Sequence, residues 1–382
     1  MSFGTRETSS APSLDEASAA YAGQSTYFLG AGATRADYPS IPLMDELLHE
    51  IIQTCTTEDL LKTFLSEIFD PECVLPDAKA QERPRIDDVF TLIDASLSGR
   101  APSPGAKSRE HLIDARRHLI ASIGRVIAKT IGEGHGRIAR KFAKAIPESG
   151  TTLISTNYDI VMDNALLERS PKNVSYGVPV REAVHRRGDL IAGRFDEMHH
   201  YRPIPESQEI IRRGGIPLLK LNGSLNWLYC PRCDELDITL QQGKGALTLL
   251  DEPKLGRCCR DGCTSPYESV LVGPSLEQRY EHRVLRDTWI KAEKALQSSG
   301  RLVIVGYSLP DADYLIRAML ARTFARRSHL VTVVTMPKSP LDQRLLEQRF
   351  RRLFPHCSFV ADGFARFVEE LTGGQGRREG IR

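Results

Sequence analysis

Residues 26–37 read Thr-Tyr-Phe-Leu-Gly-Ala-Gly-Ala-Thr-Arg-Ala-Asp. Thr26 to Leu29 make the short apolar run that a parallel strand buried on both faces needs. Gly30-Ala31-Gly32 then supplies a tight turn with no side-chain bulk, and helix-compatible residues resume at Pro42. A strand that feeds a glycine turn and then a helix aims backbone N–H groups and the helix dipole at a phosphate. The dinucleotide fingerprint asks for a third glycine three positions after Gly32, and Arg35 stands there. Taken alone, the Gly-Ala-Gly turn reads equally well as a structural bend.

Other runs of the same kind follow along the chain. Thr151–Ser155 ends in Thr156-Asn157-Tyr158-Asp159, and Pro217–Leu221 ends in Asn222-Gly223-Ser224. Arg301–Val305 ends in Gly306-Tyr307-Ser308-Leu309. Shorter strands are predicted at Glu268–Val272, His329–Val334 and Cys357–Val360. Helical periodicity marks Leu43–Phe69, the start at Ile86, 108–146, Arg279–Ser298, Ala312–Arg326, Gln343–Arg352 and Gly363–Leu371. Residues 170–215 read as irregular connections. Strands alternating with helices predict an α/β fold whose doubly wound parallel sheet is covered on both faces. In such sheets ligands bind beyond the carboxyl ends of the strands, where the glycine and polar motifs fall, so a nucleotide site is expected there. Residues 43–147 read as a helical insertion between two strands of that fold, and 1–22 and 372–382 as disordered tails flanking one domain over 23–371.

Length and charge are permissive. The 382 residues allow one large domain or two ordinary ones, and a net charge of +2 gives no electrostatic reason for nucleic acid or a membrane surface. There is no basic-then-apolar leader and no apolar stretch near ~18 residues, so a soluble, cytoplasmic protein is expected. Of the eight cysteines, Cys55, Cys73 and Cys357 are isolated and read as buried apolar residues in a reducing compartment. Cys230, Cys233, Cys258, Cys259 and Cys263 crowd one segment, which points to metal chemistry. Four thiolates suit tetrahedral Zn2+ in a small module over about 225–268. Cys230, Cys233 and Cys263 are three ligands; Cys258 and Cys259 compete for the remaining place, and the tighter loop favours Cys259.

With these pieces in hand, the chain resembles the sirtuin superfamily, and within it the SIR2-like branch found in many bacterial proteins. The matching segments are FLGAGAT at 28–34, STNYD at 155–159, KLNGSLNW at 220–227, the CxxC at 230–233 and VGYSLPDADYLIR at 305–317, in the family's order. The resemblance implies a Rossmann-like domain that takes NAD as substrate or ligand beside a zinc module. It implies that Gly30, Ala31, Gly32 and Thr34 line the diphosphate turn, that Asn157 and Asp159 hold the nicotinamide ribose and carboxamide, and that Gly306 and Ser308 lie on the adenosine side. Capping of the following helix is the alternative role for Asn157 and Asp159.

Three departures bear on activity. Asn222 occupies the position where sirtuins carry the catalytic histidine; an amide orients a hydroxyl or a water but takes no proton. His199, His200, Asp37 and Asp313 are the residues available as a substitute base. Leu43, Met44 and Asp45 follow Ile41-Pro42 where deacylases have Phe-Arg, and 271–275 lacks the Phe-Gly-Glu that borders an acyl-lysine channel. The expectation is an NAD glycohydrolase releasing nicotinamide and ADP-ribose in antiphage defence, with Asn157, Asp159 and Asn222 as the catalytic set. The alternatives are an NAD or ADP-ribose-binding pseudoenzyme, and a deacylase or ADP-ribosyl transferase. A homo-oligomer or a regulatory partner protein would hold such an enzyme in check.

Overall fold

A computed structural model describes residues 23–379 apart from 55–59, 76, 80–81, 133, 170–173, 187–189, 192–193, 196–199, 204–214, 240–257, 259–261, 278–279 and 281. Its main sheet has seven strands: β1 Ser25–Leu29, β2 Thr151–Ser155, β3 Val174–Ser175, β4 Ile216–Lys220, β5 Arg301–Val305, β6 Val331–Val334 and β7 Ser358–Val360. The order is β7-β6-β5-β1-β2-β4-β3, with every neighbouring pair parallel. Register is set by alternation. Tyr27, Leu29, Leu153, Val303 and Val305 enter one core, while Phe28, Ile154, Leu302 and Ile304 enter the other.

Helices cover both faces. After β1 comes α1, Ala31–Arg35, then α2 Met44–Thr54, α3 Leu60–Ile68, α4 Ile86–Leu97, α5 Arg109–Ile131 and α6 Arg137–Ala145 before β2, with α7 Val161–Arg169 after it. These pack on the Tyr27 side. The helices α8 Arg283–Ser298, α9 Tyr314–Phe324 and α10 Pro340–Leu353 cover the Phe28 side, and α11, Gly363–Glu379, returns to the first core. Local signals place some of the starts. Ser108 accepts from His111 N–H at the head of α5, and Ser339 accepts from Asp342 N–H with Pro340 in the first turn of α10. A second sheet of four strands, in the order His200–Pro203, Val180–Arg186, Glu235–Ile238, Trp227–Cys230, places Val180, Trp227, Leu236 and Ile238 in the same core as the Tyr27 face of the first.

Several expectations are corrected. The helix after the glycine turn starts at Ala31 rather than near Pro42, because the chain turns back at once to cover the β1 end. Leu43–Phe69 is divided into α2 and α3. Glu268–Val272 contributes two isolated bridges, Tyr229 with Glu268 and Gly223 with Leu271, instead of a strand. Residues 170–215 include several short strands. The last helix continues through 372–379, where no proline stops it; glycines there lower helix propensity by roughly 1 kcal/mol each without forbidding the conformation. Residues 1–22, read as a tail, lie outside the described residues.

The chain leaves β1 for β2 and β4 on one side, then crosses back to place β5, β6 and β7 on the other. The order therefore reverses beside β1, and the carboxyl ends of β1 and β5 flank the crevice where open α/β sheets take ligands.

Candidate functional site

At the reversal point two turns meet backbone to backbone. Gly32 N–H donates to Gly306 O at 2.8 Å, and Gly30 N–H donates to Val305 O at 2.9 Å. A Cβ on Gly32 would stand 2.7 Å from Gly306 Cα, and one on Gly306, whose φ is +60°, would stand 2.3 Å from Ala33 N. No larger residue fits at either turn. These glycines are required for the β1 and β5 turns to touch, independently of any ligand. Ala31 is left exposed and Gly32 half-buried on the outer surface of the junction.

Beneath lies a polar layer built from the ends of β1, β2 and β4. Asn157 Nδ2 donates to Gly30 O and to Thr34 Oγ1, both at 3.0 Å. Thr34 Oγ1 donates to Asp159 Oδ2 at 2.7 Å, while Asp159 Oδ1 accepts from Val161 N–H at 3.0 Å and so caps the start of α7. Asn157 does not cap that helix; its amide ties the glycine turn to the β2 end. Burial pushes the Asp159 carboxyl up, against the pull of Lys220. Lys220 is 1% exposed at the end of β4. Its ammonium donates to Asp163 Oδ2 at 3.1 Å, to Ser224 Oγ at 2.7 Å and to Asp159 O, and Tyr176 closes the network on Asp163 Oδ1 at 2.6 Å. Three acceptors match the three protons of the ammonium, which is what a buried lysine requires.

A second group gathers around Asn222. Its Nδ2 donates to Thr156 O at 3.3 Å, its backbone O accepts from Val272 N–H at 3.1 Å, and Tyr280 Oη donates to its Oδ1 at 3.5 Å. The strand end turns sharply at Gly223, where φ is +81° and a Cβ would lie 1.5 Å from Val270 O. Tyr307 Oη donates to Asp313 Oδ2 at 2.7 Å, and Tyr158 Oη donates to Val272 O. Burial, and after it the Asp313 charge, raises the phenols of Tyr158, Tyr280 and Tyr307, so all three are neutral donors near pH 7. Ser308 is exposed on the rim, with its carbonyl accepting from Arg349 at 2.7 Å.

The thiols form a separate centre. Cys230, Cys233, Cys258 and Cys263 have sulfurs all within 4.8 Å of one another, with Cys230–Cys263 at 3.7 Å and Cys233–Cys258 at 3.9 Å. A zinc ion with four bonds of about 2.3 Å requires tetrahedral edges of about 3.8 Å, so this donor set fits Zn2+ and leaves no open coordination position. The hairpin Trp227–Cys230 and Glu235–Ile238 holds the first pair, and Cys258 N–H donates to Ser265 O at 2.8 Å beside the second. Hydrogen bonding from the Ser265 backbone lowers the Cys263 thiol to about 7, toward the thiolate that a metal binds. The fourth thiol is Cys258, where loop length favours Cys259; Cys259 itself lies outside the described residues.

Of the substitute bases, Asp37 is committed to the start of α6, accepting from Ile138 N–H at 2.7 Å and Ala139 N–H at 2.8 Å. His199 lies outside the described residues, and only the backbone of His200 is described. Lys220, Tyr158, Tyr280 and Tyr307 were not singled out from sequence. A lysine inside PLLKL reads as a strand residue turned to water, and only its position in an otherwise apolar run hints at burial.

Comparison with protein-family models finds no match, and comparison with curated proteins finds none. Among solved structures the chain is similar to one described under "Structural Basis for the Mechanism and Regulation of Sir2 Enzymes", with 12% identity and a TM-score of 0.42 over 94% of each chain. It is also similar to one described under "The Structural basis of Sirtuin Substrate Affinity", with 14% identity and a TM-score of 0.39 over 91% of this chain and 93% of that one. Neither likeness is close enough to assign an activity. Among the described residues no helix is long and apolar enough to cross a membrane.

Proposed function

We propose that the protein binds NAD across the carboxyl edge of its sheet and hydrolyses the nicotinamide–ribose bond, releasing nicotinamide and ADP-ribose. One observation carries this reading. The four sequence segments that resemble sirtuin motifs, separated by up to 277 positions between Phe28 and Val305, end side by side on β1, β2, β4 and β5. The space enclosed beside Thr34, Asn157, Asp159 and Lys220 is only about 10 Å3. A dinucleotide would therefore lie above this layer, over Ala31 and Gly32.

Breaking the bond leaves positive charge on the sugar, as in glycoside hydrolysis, so the site needs orienting groups and nearby negative charge. Asn157 has its Nδ2 engaged and its carbonyl oxygen available to orient a ribose hydroxyl or the attacking water. Asp159 fixes Thr34 and the α7 start, which holds the same edge rigid. The zinc module, with four thiolates, would hold the segment next to Asn222.

A second reading, a sensor that binds NAD or ADP-ribose without turnover, is favoured by Asn222, which is an amide bonded to Thr156 and Tyr280 and carries no exchangeable charge. Incubation of metal-replete protein with NAD separates the two. Nicotinamide release without any acyl peptide supports hydrolysis, and tight calorimetric binding without release supports the sensor. Release that depends on an acyl-lysine peptide would replace both with a deacylase. Absence of affinity for NAD and ADP-ribose alike would end the nucleotide reading. Action in antiphage defence and restraint by a second copy or a partner protein belong to this proposal and await a cellular test of NAD loss during infection.

A further inference from the structure

Arg35 stands where a dinucleotide turn of the usual spacing carries its third glycine. Because α1 is a single turn, Arg35 falls on the same face as the exposed Ala31 and the half-buried Gly32. Helical side chains lean toward the N-terminus, so the root of Arg35 is set toward the surface proposed for the dinucleotide. Lys338 comes to the same rim from the other side of the β1–β5 junction. Gly306 N–H donates to Val334 O at 2.9 Å, which joins the β5 turn to the end of β6. Lys338 follows four residues later, its backbone N–H held by Asp342 Oδ2 at 2.8 Å in the first turn of α10. Both cations end on one carboxylate. Glu46 Oε2 accepts from Arg35 Nη1 at 2.6 Å and from Leu43 N–H at 3.0 Å, and its Oε1 accepts from Arg35 Nη2 at 3.4 Å and from Lys338 at 3.1 Å. A guanidinium fork, an ammonium and a backbone N–H gathered on two oxygens are a donor set that also suits a phosphate.

We propose that Arg35 and Lys338 form a phosphate site at the rim of the carboxyl edge, and that the Glu46 carboxylate fills it until a phosphate displaces it. The inference rests on the nucleotide reading above, in that the dinucleotide brings the phosphate, as its diphosphate or as a phosphate on its adenosine ribose. The side chains of Arg35, Glu46 and Lys338 are 30%, 34% and 58% exposed, so the exchange needs no opening of the core. Arg35 and Lys338 pass from the carboxylate to the phosphate oxygens, and Glu46 turns to water; no covalent bond changes and no proton moves. Asp45, whose Oδ2 is 3.7 Å from Lys338, adds a second negative charge beside the site. Glu46 is thus an internal competitor, and the affinity of the site is lowered by the fraction of time that it is in place.

The test measures, by calorimetry on the metal-replete full chain, the affinity of wild type, Glu46→Gln, Arg35→Gln and Lys338→Gln for NAD, ADP-ribose, NADP and inorganic pyrophosphate. Glu46→Gln should bind about fivefold tighter, the factor by which an exposed ion pair competes. Arg35→Gln should bind about tenfold weaker and Lys338→Gln about threefold weaker. Added salt should weaken wild type more steeply than Arg35→Gln. The opposite signs decide, because a bridge that only braces the rim is broken from either side with the same effect. A gain in Glu46→Gln with NAD and ADP-ribose supports the site and assigns it to the diphosphate. A gain with NADP alone supports it as a site for a phosphate on the adenosine ribose, and a gain with pyrophosphate alone as a site for free phosphate. Changes of one sign in Glu46→Gln and Arg35→Gln, or affinities within about twofold of wild type for every probe, overturn the proposal. If Arg35→Gln does not fold, Lys338→Gln supplies the weakening arm. Wild type that binds NAD while the variants give either overturning result keeps the nucleotide reading and removes this one. Absence of affinity for NAD, ADP-ribose and NADP alike ends the nucleotide reading, and the pyrophosphate series then decides the site by the same signs.

Discussion

The two ends of the main sheet differ in a way that separates space from chemistry. At the amino end a cleft of about 500 Å3 is lined by Gln24, Ser25, Gly150, Thr152, Pro217 and Ser299 among others. Its lining combines backbone and small hydroxyls with the exposed carboxylate of Glu148, and beside it Ser25 N–H is bonded to Gly150 O and Gly300 N–H to Gln24 O. At the carboxyl end the enclosed space is only about 10 Å3, yet it holds the buried Lys220, Asp159 and Asp163 and the amide of Asn157. Volume alone would choose the amino end. The carboxyl end is where strand order reverses and where buried charge is kept, and keeping charge out of water is costly enough to mark a place of consequence.

The largest test of this contrast is Lys220→Ala. It leaves Asp163 buried without its cation and should cost roughly 3–5 kcal/mol, read as a lower denaturant midpoint. A loss below about 1 kcal/mol would mean that the polar layer is not the anchor described here. Next is Asn157→Ala, expected to lower nicotinamide release by about 100-fold or more while circular dichroism stays unchanged. Full activity in that variant would remove Asn157 from the mechanism.

A smaller effect concerns Glu46, which ties the rim of the carboxyl end together. Its carboxylate accepts from Arg35 at 2.6 Å, from Leu43 N–H at 3.0 Å and from Lys338 at 3.1 Å. Burial alone would raise its pKa, but these donors bring it from the ordinary 4.5 down to about 2. A carboxylate lowered on folding stabilises the fold fully above pH 4.5, and that contribution is lost as pH falls toward about 2. Because the side chain is 34% exposed, solvent screening reduces the contribution to about 1 kcal/mol. Glu46→Gln should show that loss at neutral pH and a flatter acid limb in a stability titration, and an acid limb unchanged from wild type would show that the three donors contribute nothing net. The smallest effect is expected at the other end. Ser149→Leu, pointing into the larger cleft, should change stability by no more than about 0.5 kcal/mol and leave NAD affinity and turnover unaltered. Loss of NAD binding in that variant would reverse the comparison between the two ends.

Much of the fold was legible because strands buried on both faces are written as apolar runs. TYFL, TTLIS and RLVIV could each be located to within a residue or so, and their order with the helices predicted the parallel sheet. Shorter elements escaped for a different reason. The helix Ala31–Arg35 is a single turn containing a glycine and a β-branched threonine, so its conformation is imposed by the Gly306 contact and not by propensity. The bridges at Glu268 and Leu271 depend on where Tyr229 and Gly223 present their backbones, which no local pattern encodes.

For the site the division is similar. The strand-end motifs, the glycines, the amides Asn157 and Asn222 and the cysteine cluster could be read directly along the chain, because residue type and short spacing are local information. Folding alone sets Gly30 and Gly32 against Gly306, brings Cys258 into the thiol cluster, buries Lys220 and turns Asp313 onto the Tyr307 hydroxyl. These relations join residues up to 276 positions apart. They exist because burial and close packing of the sheet bring distant turns within contact, and the energy of a charge or a backbone contact depends on what surrounds it in space.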